Sequence, residues 1–198
     1  RLSSSNECIK CPDSESYIGL NNSGEEQCFI ACPNNYSTDI TNKKWFIREI
    51  LPNNYLVKIF KEGFINIDDD VIKLRDSIDP LEGWVLYSLI IGYKIKKTLE
   101  IGFAFGISTI YICQAHKDLN NPFKSHIVID PFQTLNYHDI GIKNLEESGL
   151  SNFYSLKKEE SWKVLSELDS KFDLILIDGF HTFDYTLVDF GLSDRLLN

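Results

Sequence analysis

The chain of 198 residues contains no methionine and opens on Arg1, so it is expected to be a processed form or part of a longer chain. It lacks any apolar run near the roughly 18 residues that a membrane span needs. The longest, Trp84 to Tyr93, includes Ser88 and Gly92, is followed by Lys94, Lys96 and Lys97, and reads as a buried helix. Basic residues are in deficit: 20 Lys and Arg against 29 Asp and Glu leave a net charge of −9. That balance argues against a nucleic-acid backbone as the main partner. Apolar residues are not lacking; 43% hydrophobic content excludes wholesale disorder. The length suits one α/β domain with a small appendage.

Cysteine is nearly absent beyond the first forty residues. Four of the five lie in residues 1–40, among many Ser and Asn and few aliphatic side chains. Such a segment cannot bury much of a core alone, so a metal or disulfide staple is expected. The pairs Cys8-x-x-Cys11 and Cys28-x-x-x-Cys32 fit a four-thiolate zinc site. Two disulfides are the competing reading, and the sequons at Asn21 and Asn35 are compatible with it. Cys113 reads as a small buried residue.

Residues 41–97 are expected to form a helical lead-in, with a helix from Leu81 to Ile95 opened by Asp79-Pro80. The run Asp68-Asp69-Asp70 reads as a solvated turn. From residue 98 short apolar runs alternate with helical segments. The runs are Thr98–Phe103, His126–Asp130, Phe153–Leu156 and Leu174–Asp178; the helices are Ile107–His116, Ile140–Glu147, Ser161–Leu168 and Tyr185–Leu197. This alternation predicts a parallel sheet covered on both faces, binding its ligand at the carboxyl ends of the strands.

The segment from Thr98 to Thr109 carries the strongest signal: a strand, a loop with Gly102 and Gly106, then a helix start with free N–H groups. The spacing is G-x-x-x-G, without the glycine at 104 that a pyrophosphate cradle would use. Glu100 in the lead-in would repel a phosphate and suits a ligand with a positive end. Asp130, at the next strand's end, can accept the two hydroxyls of a ribose. A cationic nucleoside without phosphate satisfies both, and S-adenosylmethionine is such a molecule. Farther on, Asp178 and His181 follow the most hydrophobic strand and could share one site, as metal ligands or as an orienting acid and a base.

With these residues in view, the chain resembles the class I S-adenosylmethionine-dependent methyltransferases, and among them the small sugar and natural-product O-methyltransferases. The resemblance runs from Glu82-Gly83 through the Leu-Glu-Ile-Gly loop, Asp130-Pro131-Phe132-Gln133 and Gly141-Ile142 with Asn144-Leu145, to the segment Ile177 to Tyr185. It implies a Rossmann-like sheet over residues 98–198 and S-adenosylmethionine as cofactor. It also implies transfer of a methyl group to a small acceptor, best a sugar-like hydroxyl.

Carried over residue by residue, Gly102, Ala104 and Gly106 would line the methionine part, with Glu100 ordering the loop and the amine. Ser108 and Thr109 would cap the helix or touch the carboxylate, Asp130 would hold the ribose with Gln133 nearby, and Glu160 and Ser161 would lie beside adenine. Asp178 becomes a cleft residue and candidate ligand for a divalent cation, and His181 the candidate base, with a helix cap as its bland alternative. The family's next glycine turn and fifth strand would follow Leu196-Leu197-Asn198, so the sheet is expected to be unfinished within this chain.

His116, His126 and His138 are expected to be structural or surface residues. Asp184 and Asp189 fall early in the last helix, where its dipole suffices to explain them. A cytoplasmic setting, with self-association left open, completes the expectation. Two rivals stay open: a nucleotide-dependent oxidoreductase, and a zinc-bearing interaction protein on a degenerate Rossmann-like domain. Against the first, Asp130 falls 28 residues after Gly102, where about 20 is usual.

Overall fold

The computed structural model describes residues 9–10, 16–20, 26–30, 50–62, 64–67, 70–73 and 77–198, with side chains for 50–62 and 77–198. The chain forms two units, Arg1–Ile50 and Leu51–Asn198. In the first, β1 (Ile9–Lys10), β2 (Ser16–Leu20) and β3 (Glu26–Ile30) make an antiparallel sheet in that order. Cys8, Cys11 and Cys32 lie outside the described residues. Only the backbone of Cys28 is described, opposite Ile18 in the β2–β3 ladder. The zinc and disulfide expectations both fall on these positions, and the two sequons, at 21–23 and 35–37, lie outside the described residues as well.

The second unit starts with α1 (Asn54–Glu62), which buries Tyr55, Leu56 and Ile59. A hairpin follows, β4 (Phe64–Ile67) paired antiparallel with β5 (Asp70–Lys73), Ile65 opposite Ile72. This corrects the helical expectation for that stretch. Its short runs are rich in β-branched residues, too short and too branched for a stable helix. Next comes α2 (Pro80–Tyr93), opened by a complete capping box. The Asp79 side chain accepts from the N–H groups of Leu81 and Glu82 at 2.8 and 2.9 Å. Glu82 in turn accepts from the Asp79 N–H at 2.8 Å, and Pro80 occupies the first helical position.

The rest is a strand–helix alternation: β6 (Thr98–Ile101), α3 (Ile107–Asp118), β7 (His126–Ile129), α4 (Ile140–Glu147), β8 (Tyr154–Lys157), α5 (Ser161–Glu167), β9 (Leu174–Ile177) and α6 (Phe183–Asp194). The four strands form one parallel sheet in the order β8-β7-β6-β9, as expected of a Rossmann-like fold. The expected strands β6, β7 and β9 end one or two residues early, because the chain turns at Gly102 (φ +97°) and at the acids Asp130 and Asp178. Helix α6 starts two residues earlier than expected and stops at Asp194. Leu197 instead makes an isolated parallel bridge to Phe172.

Strand alternation divides the sheet's side chains between two layers. Leu99, Ile101 and Ile129 pack with Val164, Leu165, Phe172 and Leu196, joined by Ile175 and Ile177. Leu174 and Leu176 point to the opposite layer, against Ile90, Ile112 and Ala115 of α2 and α3. On that second side the two central strands place polar residues, Thr98, Glu100 and His126, all fully buried. Helix α3 is buried from Ile107 to His116, with α2 on its outer side. Gly83 allows that approach, since a Cβ there would fall on the ring of Tyr111.

Gly83→Ala should therefore force α2 away from α3. The expected loss is about 1–3 kcal/mol of unfolding free energy, measured by urea denaturation. An unchanged midpoint would show that the two helices do not pack this closely.

Candidate cofactor cleft

At the carboxyl ends of the strands lies a cavity of about 780 Å³. Gly102, Ala104 and Ser108 line it from the β6–α3 turn, Asp130 from the end of β7, Glu160 and Ser161 from the start of α5, and Asp178 and His181 from beyond β9. The tertiary structure thus gathers eight of the predicted residues around one space. Gly106 (φ +74°) lies at the start of α3, where a Cβ would press on Leu145 and Phe103. At Gly102 a Cβ would collide with the Asp178 carbonyl oxygen, so only glycine fits between β6 and β9.

Three predicted ligand residues are not on the cavity wall: Gly106, Glu100 and Gln133. Glu100 does not line the cavity and is 0% exposed. Its Oε1 accepts the Ser108 hydroxyl; its Oε2 accepts the Thr109 hydroxyl at 2.5 Å and lies 2.8 Å from His126 Nε2. Ser108 and Thr109 accordingly serve this carboxyl group rather than capping α3, whose N-terminus has no side-chain cap among the described residues. Gln133 is also fully buried and off the cavity wall. It donates to the Ala104 carbonyl at 2.8 Å and accepts from the Gly141 N–H at 3.1 Å.

Asp130 does line the cavity, but it is also a loop tie. Its Oδ2 accepts from the N–H groups of Phe103 and Ala104, both at 3.0 Å, and its Oδ1 from Phe132 at 2.8 Å. Ala104 stands where the dinucleotide pattern has glycine and adopts φ +44°, a conformation costly for a residue with a Cβ. Asp130 holds its N–H and Gln133 its carbonyl, and together they offset that cost. Sequence reasoning singled out these residues as ligand contacts; in the structure Glu100 and Gln133 bond within the fold.

Two acids of the wall were not singled out by the sequence as cavity residues. Glu82, read as part of a helix motif, faces the cavity from α2. Asp189 was explained by the helix dipole, but it sits in the second turn of α6, 3% exposed, with Oδ1 accepting the Ser161 hydroxyl at 2.5 Å. Burial pushes its carboxyl above the usual range, partly opposed by that hydrogen bond. Asp184 fits the dipole reading: it accepts the Thr182 hydroxyl at 2.6 Å, and that bond and nearby N–H groups hold its pKa low. A polar residue on a helix otherwise exposing Phe183, Leu187 and Phe190 was the available signal.

Asp178 is raised above the ordinary carboxylate range, first by burial and further by Glu100 and Glu82, with His181 acting the other way. His181 Nε2 lies 3.6 Å from Asp178 Oδ1, within ion-pair reach but longer than a hydrogen bond, and its side chain is 80% exposed. The helix cap is Thr182, so the cap alternative for His181 does not hold. Among the described residues no group of three or more His, Cys, Asp or Glu converges as a metal site.

The electrostatics of the wall are one-sided. Glu82, Asp130, Glu160, Asp178 and Asp189 line it, and no lysine or arginine does among the described residues. The N-termini of α3, α5 and α6, none with a side-chain cap among the described residues, meet the wall at Ile107 and Ser108, at Glu160 and Ser161, and at Thr182, and bring positive potential to it. Such a cleft rejects a pyrophosphate and suits a ligand with a cationic centre and a single carboxylate.

Parallel strands ordered in this way, with a cavity at the carboxyl ends of the adjacent strands β6 and β9, define a Rossmann-like α/β domain. A family model described as a methyltransferase domain matches residues 99–198, just over half of the chain, and the chain belongs to that family. Among solved structures it is similar to the methyltransferase PaMTH1 of Podospora anserina with bound S-adenosylhomocysteine (SAH): TM-score 0.53, 17% identity, covering 61% of this chain and 49% of that one.

The O-methyltransferase TomG of Streptomyces achromogenes, in complex with S-adenosylmethionine (SAM), has a TM-score of 0.52 at 20% identity, covering 62% and 53%. An O-methyltransferase of Bacillus cereus in complex with SAH has a TM-score of 0.53 at 21% identity, covering 63% and 55%. At these identities the likeness is one of fold, and the chain spans about half the length of the structures it matches. No curated protein matches it. Among the described residues, no helix is long and apolar enough to cross a membrane.

Between the sheet and α3 the polar chain continues from Glu100 through His126. Thr98 Oγ1 lies 2.8 Å from His126 Nδ1 and 2.7 Å from His116 Nε2, and Asn121 Nδ2 lies 2.8 Å from His116 Nδ1. Burial, then His126, lowers the pKa of His116 to about 4, with Asp173 opposing. A histidine depressed from 6.5 to about 4 binds its proton more readily when unfolded. Its contribution is therefore full above pH 6.5 and lost as pH falls toward 4. Stability should drop by up to about 3 kcal/mol across that window. His116→Gln should flatten that part of the curve, read by urea unfolding at pH 7 and pH 4.5; an equal drop in the variant would reject it.

Proposed function

We propose that the protein binds S-adenosylmethionine in this cleft and transfers its methyl group to a small acceptor. The observation that carries the reading is the acid-lined, lysine- and arginine-free wall beneath the Gly102 turn. It favours a sulfonium nucleoside over a dinucleotide, which removes the main support for an oxidoreductase. Asp130 would face the ribose, the N-terminus of α3 the carboxylate, and Glu82 and Asp178 the cationic end. S-adenosylmethionine supplies an electrophilic methyl group when bound.

The chain's own residues position the acceptor and manage its proton. Methyl transfer is an in-line displacement, so alignment in the cleft supplies much of the rate. His181, exposed at the cleft mouth beside Asp178, is placed to take the proton of an acceptor hydroxyl. A sugar-like hydroxyl is our choice of acceptor, supported by the motif resemblance, and a cytoplasmic setting goes with it. Asp178, 3.6 Å from His181 Nε2, would stabilise its imidazolium once formed.

Calorimetric titration with S-adenosylhomocysteine and NAD tests the cofactor. Binding of the first and not the second is expected from the full-length protein; the reverse would overturn the proposal. His181→Ala should lower kcat by about 10²- to 10⁴-fold with cofactor affinity unchanged. Equal turnover in the variant would remove His181 from the chemistry.

A further inference from the structure

Helix α1 lies outside the span that the family model matches, yet one of its side chains reaches the turn between Gly102 and Gly106 through a single intermediary. The Tyr55 hydroxyl lies 2.6 Å from Asn144 Oδ1 on α4, and Asn144 Nδ2 donates to the Phe105 carbonyl at 2.8 Å. Both side chains are buried. Neither has a part in the transfer chemistry described above.

The direction of this relay follows from the groups in it. The Phe105 carbonyl can only accept, so the amide must turn Nδ2 toward it and Oδ1 toward Tyr55. Tyr55 must then donate. Burial, followed by Glu147 and Glu62, pushes its pKa up, so the hydroxyl keeps its proton at neutral pH. Without that donor the Asn144 amide loses the partner that keeps it facing the turn.

What the amide holds is the peptide between Phe105 and Gly106. A trans peptide is planar, so fixing the carbonyl also fixes the Gly106 N–H, which donates to the Phe103 carbonyl at 2.6 Å. That bond closes the turn just before α3 begins, and Phe103, Ala104 and Phe105 all line the cavity. Asp130 and Gln133 tie residues 103 and 104 from the far side. Asn144 ties the carbonyl of 105, which they leave untouched.

We infer that Tyr55 is a positioning residue for the cofactor turn: by holding the Asn144 amide in one orientation, it sets the Phe105–Gly106 peptide and the shape of the cleft wall that meets the ligand. The inference rests on the reading of the cleft as the S-adenosylmethionine site.

Calorimetry with S-adenosylhomocysteine tests it, on the full chain and at a temperature where every variant is folded. Tyr55→Phe removes only the hydroxyl and should weaken binding about three- to tenfold. Asn144→Ala should weaken it too. Adding Tyr55→Phe to that variant should cost nothing further, because the amide through which Tyr55 acts is gone. Asn53→Ser is the control for the anchoring of α1. It keeps an oxygen for the Tyr55 N–H but lacks the amide that donates to Gln114 and to the Ser148 carbonyl, away from the turn. Its urea midpoint should fall while its affinity stays at the wild-type value. A purely structural Tyr55 would behave in the same way, and a lower midpoint with unchanged affinity in Tyr55→Phe would overturn the inference. Additive losses in the double variant, or an equal loss in Asn53→Ser, would overturn it as well. The single variant decides where Asn144→Ala does not fold. A wild-type chain that binds no S-adenosylhomocysteine would instead overturn the reading of the cleft, and this inference with it.

Discussion

The carboxyl group of Glu100 holds this domain's ligand-binding end together. It is buried without a cationic lysine or arginine beside it, a position that is costly unless its oxygens are occupied. Here the hydroxyls of Ser108 and Thr109 and the ring of His126 occupy them. These partners come from the first turn of α3 and the first residue of β7, so one side chain ties the central strand to the helix above it and to the next strand. The turn from 102 to 106 is strung between those tied ends. Asp130 and Gln133 complete the tether from the far side, holding Ala104 in a conformation it would otherwise avoid.

The cleft is left with acids that face inward and, among the described residues, no lysine or arginine to neutralise them. That arrangement raises Asp178 and Asp189 above the usual carboxylate range, with burial as the largest cause. It also makes the cleft more favourable to positive than to negative charge. The same buried polar layer explains why a fully buried His116 belongs in a hydrophobic domain. It sits at the end of the chain of hydrogen bonds that starts at Glu100.

Much of this was legible in the order of residues. Apolar runs ending in Gly or Asp marked three of the strands and a weaker run at Phe153–Leu156 the fourth, all to within two residues, and Asp79-Pro80 marked the start of α2. Helix α4 was read to its end residues, since Gly, Ile, Asn and Leu there keep one apolar face. The hairpin at 64–73 was not, because a run of four residues alternating around Asn and Asp carries little period. Among site residues, glycines and strand-end acids were found because backbone turns and strand ends leave local signatures. The partners of Glu100, Gln133 and Asp189 left none.

The sequence by itself determined the parallel α/β architecture, the glycine turn and the set of acids, since period, spacing and composition are local properties. Only the tertiary structure decided what each acid does. Strand parity turns Glu100 inward to α3, while the second turn of α6 carries Asp189 across to Ser161. Both outcomes depend on which elements pack together, and a side chain's partner is set by that packing. Two carboxyl groups of the same chemistry thus became an anchor inside the fold and part of the cavity wall.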